Sequence, residues 1–157
     1  MDRDSLLRRI APLLWRGQVL RWQLTGGHVM GAKVIVVREG RVLLIRQTYR
    51  SGWFLPGGGL KRGESPEAAA RREAREEAGA ELGELEFRGL FSHRWGRVVN
   101  HLAVFASREA RVAERKHWEI AERGWFDPAA LPRDTAPGDR RRIEEYCAGQ
   151  PVRSGRW

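Results

Sequence analysis

Residues 57–80 decide the fold of this chain, and they read GGGLKRGESPEAAARREAREEAGA. Ser65 can accept a hydrogen bond from the free N–H groups at a helix start, and Pro66 suits the first helical position, where its missing donor costs nothing. Gly79 suits the left-handed residue that follows a helix end. The sequence therefore predicts a helix over residues 66–78, preceded by glycines whose backbone can approach a metal or a phosphate closely.

The predicted helix carries three carboxylates on one side. At about 100° per residue, Glu73, Glu76 and Glu77 fall within an arc of about 100°. Carboxylates crowded in this way raise one another's pKa unless a positive charge is supplied, and their hard oxygen atoms favour Mg²⁺, with Mn²⁺ as a substitute. The alternative is a solvated acidic face that forms i, i+4 ion pairs with arginine.

The remaining sides of the helix predict how it packs. Alanines at positions 70, 74 and 78 form a stripe that lets the helix sit close against a sheet. Arg71 and Arg75 are expected to point away from that sheet, toward water.

The polar residues from Gly58 to Ala80 follow the pattern G-x5-E-x7-R-E-U-x-E-E-x-G-U, where U is a bulky aliphatic residue. This pattern resembles the Nudix box, the signature of hydrolases that cleave a nucleoside diphosphate linked to another moiety. Ala74 and Ala80 stand at the U positions, so the packing is lighter there, and no chemical residue is missing. The resemblance implies an α/β protein with the Nudix fold, an α/β/α sandwich around a mixed β-sheet, forming a single domain over residues 1–157.

The resemblance also implies a metal site and a reaction. A carbonyl at Gly57 would join Glu73 and Glu77 around one metal, and Glu76 would help to hold others that arrive with substrate. The reaction would be attack of water at phosphorus, dependent on Mg²⁺, giving a nucleoside monophosphate and a phosphorylated remainder.

Further roles follow from the same resemblance. Arg72 would pair with Glu64 and fix the loop against the helix. Glu119, a late glutamate ahead of a strand, would be an extra metal ligand or the general base. Its alternative is a loop carboxylate paired with Arg115 or Arg123. The predicted catalytic residues are Glu64, Arg72, Glu76, Glu77 and Glu119.

Basic and aromatic side chains near the motif are candidates for substrate binding. They are Arg46, Arg50, Trp53, Lys61, Arg62 and Trp95. The four cations would meet phosphate oxygens or would remain solvated surface charges. Either tryptophan would stack on a base, because aromatic faces bind bases without reading their sequence, or would pack in the core or at its rim.

Apolar runs predict the elements around the motif. Strands are expected over residues 32–37, 41–47, 85–92 and 98–106, with a turn at Glu39-Gly40, and a further strand is expected between Glu119 and Pro128. A short helix near 128–131 and a helix over 139–147 follow, the latter with Ile143 and Tyr146 inward. Residues 1–25 form an extension with an amphipathic helix over 2–15 and a strand within 15–24, and residues 149–157 are expected to be a flexible tail.

Composition limits the class of protein. The 157 residues are 41% hydrophobic and 31% charged, which suits one globular domain. Cys147 is the single cysteine, so an internal disulfide is excluded and a reducing cytoplasm is favoured. No apolar run approaches the roughly 20 residues of a membrane span, and the N-terminus does not have the shape of a signal peptide. These features predict a cytoplasmic protein without a membrane partner.

The net charge of +9 and a sequence pI of about 11.0 would attract polyanions. Three functions are therefore considered. The approach Leu55-Pro56-Gly57 favours a MutT-like enzyme acting on a nucleoside triphosphate or a similar nucleotide diphosphate derivative, and residues 81–125 lack the proline and tyrosine marks of other subfamilies. An RNA 5′-pyrophosphohydrolase is the second, and a non-catalytic nucleotide-binding regulatory module is the third. A homodimer through the N-terminal helix is a further expectation.

Overall fold

The computed structural model describes residues 26–113 and 117–157, together with residues 10, 12, 13, 16, 17, 20, 21 and 24. The strands in this part of the chain are β1 (Gly27–Arg38), β2 (Arg41–Gln47), β3 (Gly57–Gly59), β4 (Ala80–Leu82), β5 (Glu86–Trp95), β6 (Val98–Ser107), β7 (Ala110–Val112), β8 (Ile120–Phe126) and β9 (Arg153–Arg156). The helices are α1 (Pro66–Ala78) and α2 (Pro137–Cys147), with a 3-10 turn at Pro128–Ala130 between β8 and α2.

The main sheet is mixed and has the order β8-β2-β1-β6-β5-β9, with β3 pairing beside β1. The β1–β6 and β5–β9 pairs are parallel, and the other pairs are antiparallel. Strands β4 and β7 form a separate two-stranded sheet. The predicted α/β fold with a mixed sheet is confirmed.

Each face of the main sheet carries one helix. Along β1, Val34 and Val36 point to the core under α1, whereas Ile35 points to the core under α2. The alanine stripe of α1 is fully buried against the first face, so the small side chains bring the helix close to the sheet. Ile143 and Tyr146 of α2 are buried against the second face, as expected.

The local signals for the first helix and the first hairpin are confirmed. Ser65 Oγ accepts from the N–H of Ala68 at 3.1 Å, and Gly79 closes α1 in the left-handed conformation, with φ 66° and ψ 21°. Glu39 and Gly40 both have positive φ, at 52° and 75°, which is the geometry of a two-residue hairpin turn. Strand β2 and helix α1 therefore have the predicted boundaries.

Two predictions for the ends of the chain are wrong where the structure describes them. Leu20 and Leu24 are helical rather than part of a strand, consistent with their spacing of one helical turn. The tail is not flexible, because Arg153–Arg156 pairs with β5 and the Trp157 ring packs against Phe91. Most of the helix predicted over residues 2–15 lies outside the described residues.

Arg71 also differs from expectation. Its guanidinium donates to the carbonyls of Leu82 and Gly83, at 2.8 Å each, instead of pointing only to water, and so it ties α1 to the end of β4. Within the described part of the chain, no helix is long and apolar enough to span a bilayer.

Candidate active site

Glu77 lies at the centre of the carboxylate face of α1. Its side chain is 3% exposed, one oxygen accepts from the Gly57 N–H at 2.8 Å, and the other accepts from the Gln47 side-chain amide at 3.1 Å. Burial, reinforced by the nearby charge of Glu73, raises the pKa of Glu77 to about 8. This carboxylate is therefore desolvated and lies directly against the glycine loop.

Glu73 lies beside the same loop. A Cβ atom at Gly58 would stand 2.5 Å from Glu73 Oε1, so the absence of a side chain there leaves room for the carboxylate. Gly57 has a φ of +153°, and a side chain there would collide with the Ala32 carbonyl. Burial raises the pKa of Glu73, although the adjacent Arg72 acts in the opposite direction.

Arg72 joins helix α1 to the loop through several hydrogen bonds. Its guanidinium binds both oxygens of Glu64, at 2.7 and 2.8 Å, and donates to the Gly59 carbonyl at 3.0 Å. It also contacts Glu73 at 2.6 Å and Glu76 at 3.3 Å. The hydrogen bond from Arg72 lowers the pKa of Glu64 to about 2, so this pair stays charged. The predicted pairing of Arg72 with Glu64 is confirmed.

Glu119 approaches this cluster from the segment before β8. Its side chain is half-buried, and burial, followed by the charges of Glu73 and Glu76, raises its pKa. Arg123, one of its two alternative partners, donates to the Ala78 carbonyl at 2.8 Å, at the C-terminal end of α1. The structure thus places Glu119 within electrostatic reach of the α1 carboxylates, and Arg115 lies outside the described residues.

Comparison with known proteins agrees with this arrangement. The profile of the NUDIX domain matches residues 27–146. The chain belongs to the Nudix family. It is 32% identical to "Putative 8-oxo-dGTP diphosphatase" of Bacillus subtilis (strain 168) over 123 residues, which are 78% of this chain and 82% of that protein. It is 38% identical to an RNA pyrophosphohydrolase of Photorhabdus laumondii over 92 residues, 57% of this chain and 51% of that protein.

Solved structures lead to the same family. The MutT Nudix hydrolase of Burkholderia pseudomallei matches with a TM-score of 0.68 and 26% identity, covering 74% of this chain and 96% of that one. The mutator MutT protein of Bacillus halodurans matches with a TM-score of 0.67 and 26% identity, covering 79% and 85%. This chain is a MutT-like Nudix hydrolase, an α/β/α sandwich, and its family generally uses divalent metal ions on nucleotide derivatives.

The donor set of this Nudix hydrolase fits a hard divalent cation, because it consists of carboxylate and backbone oxygens. Burial, followed by the charges of neighbouring carboxylates, raises the pKa values of Glu73, Glu77 and Glu119, and a bound cation would favour their charged forms. Among the described residues, no three acidic, histidine or cysteine side chains already converge on one point. Glu73 is instead bonded to Arg72 and Glu77 to Gly57, and these protein contacts would give way to metal ligation.

Two residues that the sequence did not single out belong to the site. Gln47, the last residue of β2, donates to Glu77. Tyr49 follows two positions later; burial raises the pKa of its phenol, and the charges of Glu119 and Glu77 raise it further. Their position in the sequence could have indicated this role, because both residues lie where a buried strand ends beside the loop.

The structure separates the predicted substrate-binding residues. Trp53 is 4% exposed and packs edge-on against Phe126, so the prediction that it stacks on a base is wrong. Arg46 lies over the Trp53 ring and forms ion pairs with Asp134, at 3.4 Å, and Glu122, at 3.8 Å. These two side chains serve the packing of β2 and β8.

The remaining candidates lie on the surface. Lys61 and Arg62 are exposed directly after the glycine loop, and Lys61 Nζ is 3.9 Å from Glu76 Oε1. The Arg50 guanidinium stacks 4.5 Å from an aromatic ring in the segment that leads to the loop. Trp95 is 40% exposed at the end of β5. Their roles in substrate binding stay predictions.

Proposed function

We propose that this chain is a Mg²⁺-dependent pyrophosphohydrolase that cleaves a nucleoside triphosphate or a similar small nucleotide diphosphate derivative by attack of water at phosphorus. The observation that carries the proposal is the excess of carboxylates around the glycine loop, whose pKa values rise through burial and mutual repulsion. The similarity to the Bacillus subtilis relative supports a nucleoside triphosphate as the first substrate to test.

Gly57, Glu73 and Glu77 are the residues we assign to the cation, with Glu76 as the ligand for ions that arrive with substrate. When bound, Mg²⁺ would neutralise the diphosphate and lower the pKa of the attacking water. Because Gly57 and Gly58 have no side chains, the carboxylates of Glu73 and Glu77 can both lie against the loop backbone. Arg72 and Glu64 are assigned to holding this loop in place.

Glu119 is the residue we assign as general base. A base works best when its pKa lies near the operating pH, and burial and the α1 carboxylates move the Glu119 pKa in that direction. Tyr49 lies among the same charges and would orient the carboxylate or the water. Lys61 and Arg62, exposed beside the loop, are assigned to the phosphate oxygens of the substrate.

The proposal is tested by phosphate release from a substrate panel, coupled to an added phosphatase or pyrophosphatase. The panel contains nucleoside triphosphates including 8-oxo-dGTP, nucleotide sugars, ADP-ribose, dinucleoside polyphosphates and 5′-triphosphorylated RNA, each with and without Mg²⁺. Glu77→Gln should abolish a Mg²⁺-dependent hit, whereas Glu67→Gln, on the solvent side of the same helix, should retain it. A folded protein that binds nucleotide without turnover would favour the regulatory-module alternative.

An RNA 5′ end is the second candidate substrate. The net charge of +9 favours a polyanion, and the Photorhabdus laumondii relative is named for that activity. An RNA-directed enzyme should prefer triphosphorylated RNA to the free nucleotide at low salt and should lose that preference as salt rises. An equal rate on both substrates at every salt concentration would remove this candidate.

A further inference from the structure

We propose that a buried ion pair between Lys33 and Asp139 positions the backbone that leads into the metal-binding loop. The pair lies outside the 57–80 motif, on the α2 side of the sheet. The inference rests on the proposed function, because it gives the pair the task of fixing the Gly57 carbonyl for the cation. Lys33 and Asp139 are positioning residues in this account, since neither touches the reacting atoms.

The pair is bonded to the backbone of Leu55 through Lys33. Lys33 Nζ lies 2.9 Å from Asp139 Oδ1, and the two side chains are 15% and 2% exposed. Lys33 Nζ also donates to the Leu55 carbonyl at 3.1 Å. Leu55 is therefore held at its carbonyl by an ammonium group whose charge Asp139 neutralises.

The restraint continues from Leu55 into the loop. The Pro56 carbonyl accepts from the Val34 N–H at 3.0 Å, and Lys33 stands opposite Gly57 in the β1–β3 pair. The Gly57 N–H then donates to Glu77. Each residue between the ion pair and the proposed metal ligand is thus held by a neighbouring element.

Trp157 shields the pair from water. Its ring centroid is 5.9 Å from Lys33 Nζ, its backbone N–H donates to the Ser92 carbonyl at 3.0 Å, and its indole occupies the space that a side chain at Gly138 would need. Charge-assisted bonds gain strength when water is excluded, so the cover strengthens the hold on Leu55. This gives the pairing of β9 with β5 a role in the site, because that pairing places the indole.

A second buried ion pair on α2 offers a matched control. Arg142 lies 2.7 Å from Glu145, with side-chain exposures of 2% and 15%. Its guanidinium stacks 3.8 Å from Phe91 and donates to the Arg156 carbonyl, so it joins α2 to β5 and β9. Losing Arg142 removes a buried charge of the same helix that contacts neither Lys33, Asp139 nor Leu55, although its guanidinium also lies 5.8 Å from the Trp157 ring.

The test compares the double variant Lys33→Met/Asp139→Asn with Arg142→Met. The double variant leaves no buried charge unpaired. Asparagine keeps the size of the side chain at position 139, and methionine at position 33 removes the donor to the Leu55 carbonyl. The first readout is amide hydrogen exchange without metal over residues 54–58, where every residue except Pro56 carries an amide proton. The second is the Mn²⁺ dissociation constant, from the electron paramagnetic resonance signal of free Mn²⁺.

We expect the double variant to exchange faster at residues 54–58 and to bind Mn²⁺ about 10-fold more weakly, the usual scale for losing a residue that orients a metal ligand. Arg142→Met, which affects only the Trp157 cover, should change both by much less. Unchanged exchange at 54–58, or an equal change in Arg142→Met, would overturn the inference. Unchanged Mn²⁺ affinity in the double variant would overturn this inference and leave the proposed function standing. If Glu77→Gln bound Mn²⁺ as tightly as the wild type does, the proposed function would be overturned as well.

Discussion

Two charge clusters meet at the glycine loop, and they differ in balance. On the α1 side, five carboxylates meet two cations; the carboxylates are Glu64, Glu73, Glu76, Glu77 and Glu119, and the cations are Arg72 and Lys61. On the α2 side, Lys33 and Asp139 match one to one and are also buried. The first cluster has a deficit of positive charge that a divalent cation would fill, and the second has none.

This difference underlies the proposal that the α1 cluster carries catalysis and the α2 pair supports the loop. A balanced buried pair is costly to break and has no use for a further ion, so it suits a fixed restraint. In the unbalanced cluster, burial and then the neighbouring carboxylates raise the pKa of Glu77 and Glu119, and this environment favours an incoming cation. Changes on the α1 side should therefore act on turnover, and changes on the α2 side should act on loop order.

The largest effect is expected for Glu77→Gln. The variant loses the most buried carboxylate of the unbalanced cluster, and kcat should fall about 10³-fold, the scale of losing one charge-stabilising group. Steady-state kinetics at saturating Mg²⁺ measures this, and circular dichroism checks the fold, which the neutral amide should preserve. Turnover within a few-fold of wild type would show that the charge deficit has no catalytic role.

Glu119→Gln should have the next largest effect. Removing a general base should lower kcat about 10²-fold. Mn²⁺ affinity should stay at the wild-type value, because the base does not hold the ion in this account. A matching loss of Mn²⁺ affinity would instead make Glu119 a metal ligand, and wild-type kinetics would return it to the role of a loop carboxylate.

Arg72→Lys tests the cation inside the unbalanced cluster. Lysine keeps the charge but lacks the planar fork that binds both Glu64 oxygens and the Gly59 carbonyl. We expect kcat to fall about 10-fold and the free energy of unfolding to fall by about 1–2 kcal/mol, the value of the charged hydrogen bonds lost. Steady-state kinetics measures kcat, and urea denaturation measures the free energy of unfolding. If both are unchanged in Arg72→Lys, the planar hydrogen bonding of the guanidinium is not what Arg72 contributes.

The smallest effect is expected for Glu67→Gln, which serves as the control on the same helix. Glu67 forms an exposed i, i+4 ion pair with Arg71 at 3.0 Å, on the side of α1 that faces away from the loop. Exposed pairs of this kind contribute about 0.3–0.5 kcal/mol, so rate and stability should barely move. A large loss of turnover here would mean that the helix, and not its carboxylate face, determines the activity.

Local chemistry explains why part of this fold was predictable. Helix α1 begins and ends at the predicted residues because Ser65, Pro66 and Gly79 act within one turn of the chain. Strand β2 has its predicted bounds because the Glu39-Gly40 turn sets the hairpin. In both places the structure-determining contacts lie between residues that are close in sequence.

Contacts between distant residues account for the failures. The polar sequence over 149–157 predicts a flexible tail, yet the tail pairs with β5 and the Trp157 ring packs against Phe91. The sequence leaves open whether Trp53 stacks on a base or packs in the core, and its ring is buried against Phe126. The Lys33–Asp139 pair carries no signal in a single sequence, because nothing local relates β1 to the start of α2. The box residues, in contrast, share one helix and one loop, so their proximity was visible in their spacing.

The most direct test of the central claim is a Mn²⁺ titration that records binding and turnover on the same sample. The account predicts that turnover without metal is absent, and that the Mn²⁺ dissociation constant and the half-activating Mn²⁺ concentration rise together in Glu73→Gln. Hydrolysis that persists in the presence of a chelator would contradict the assignment of the α1 carboxylates as the metal site. So would Mn²⁺ binding that is as tight in Glu73→Gln and Glu77→Gln as in the wild type.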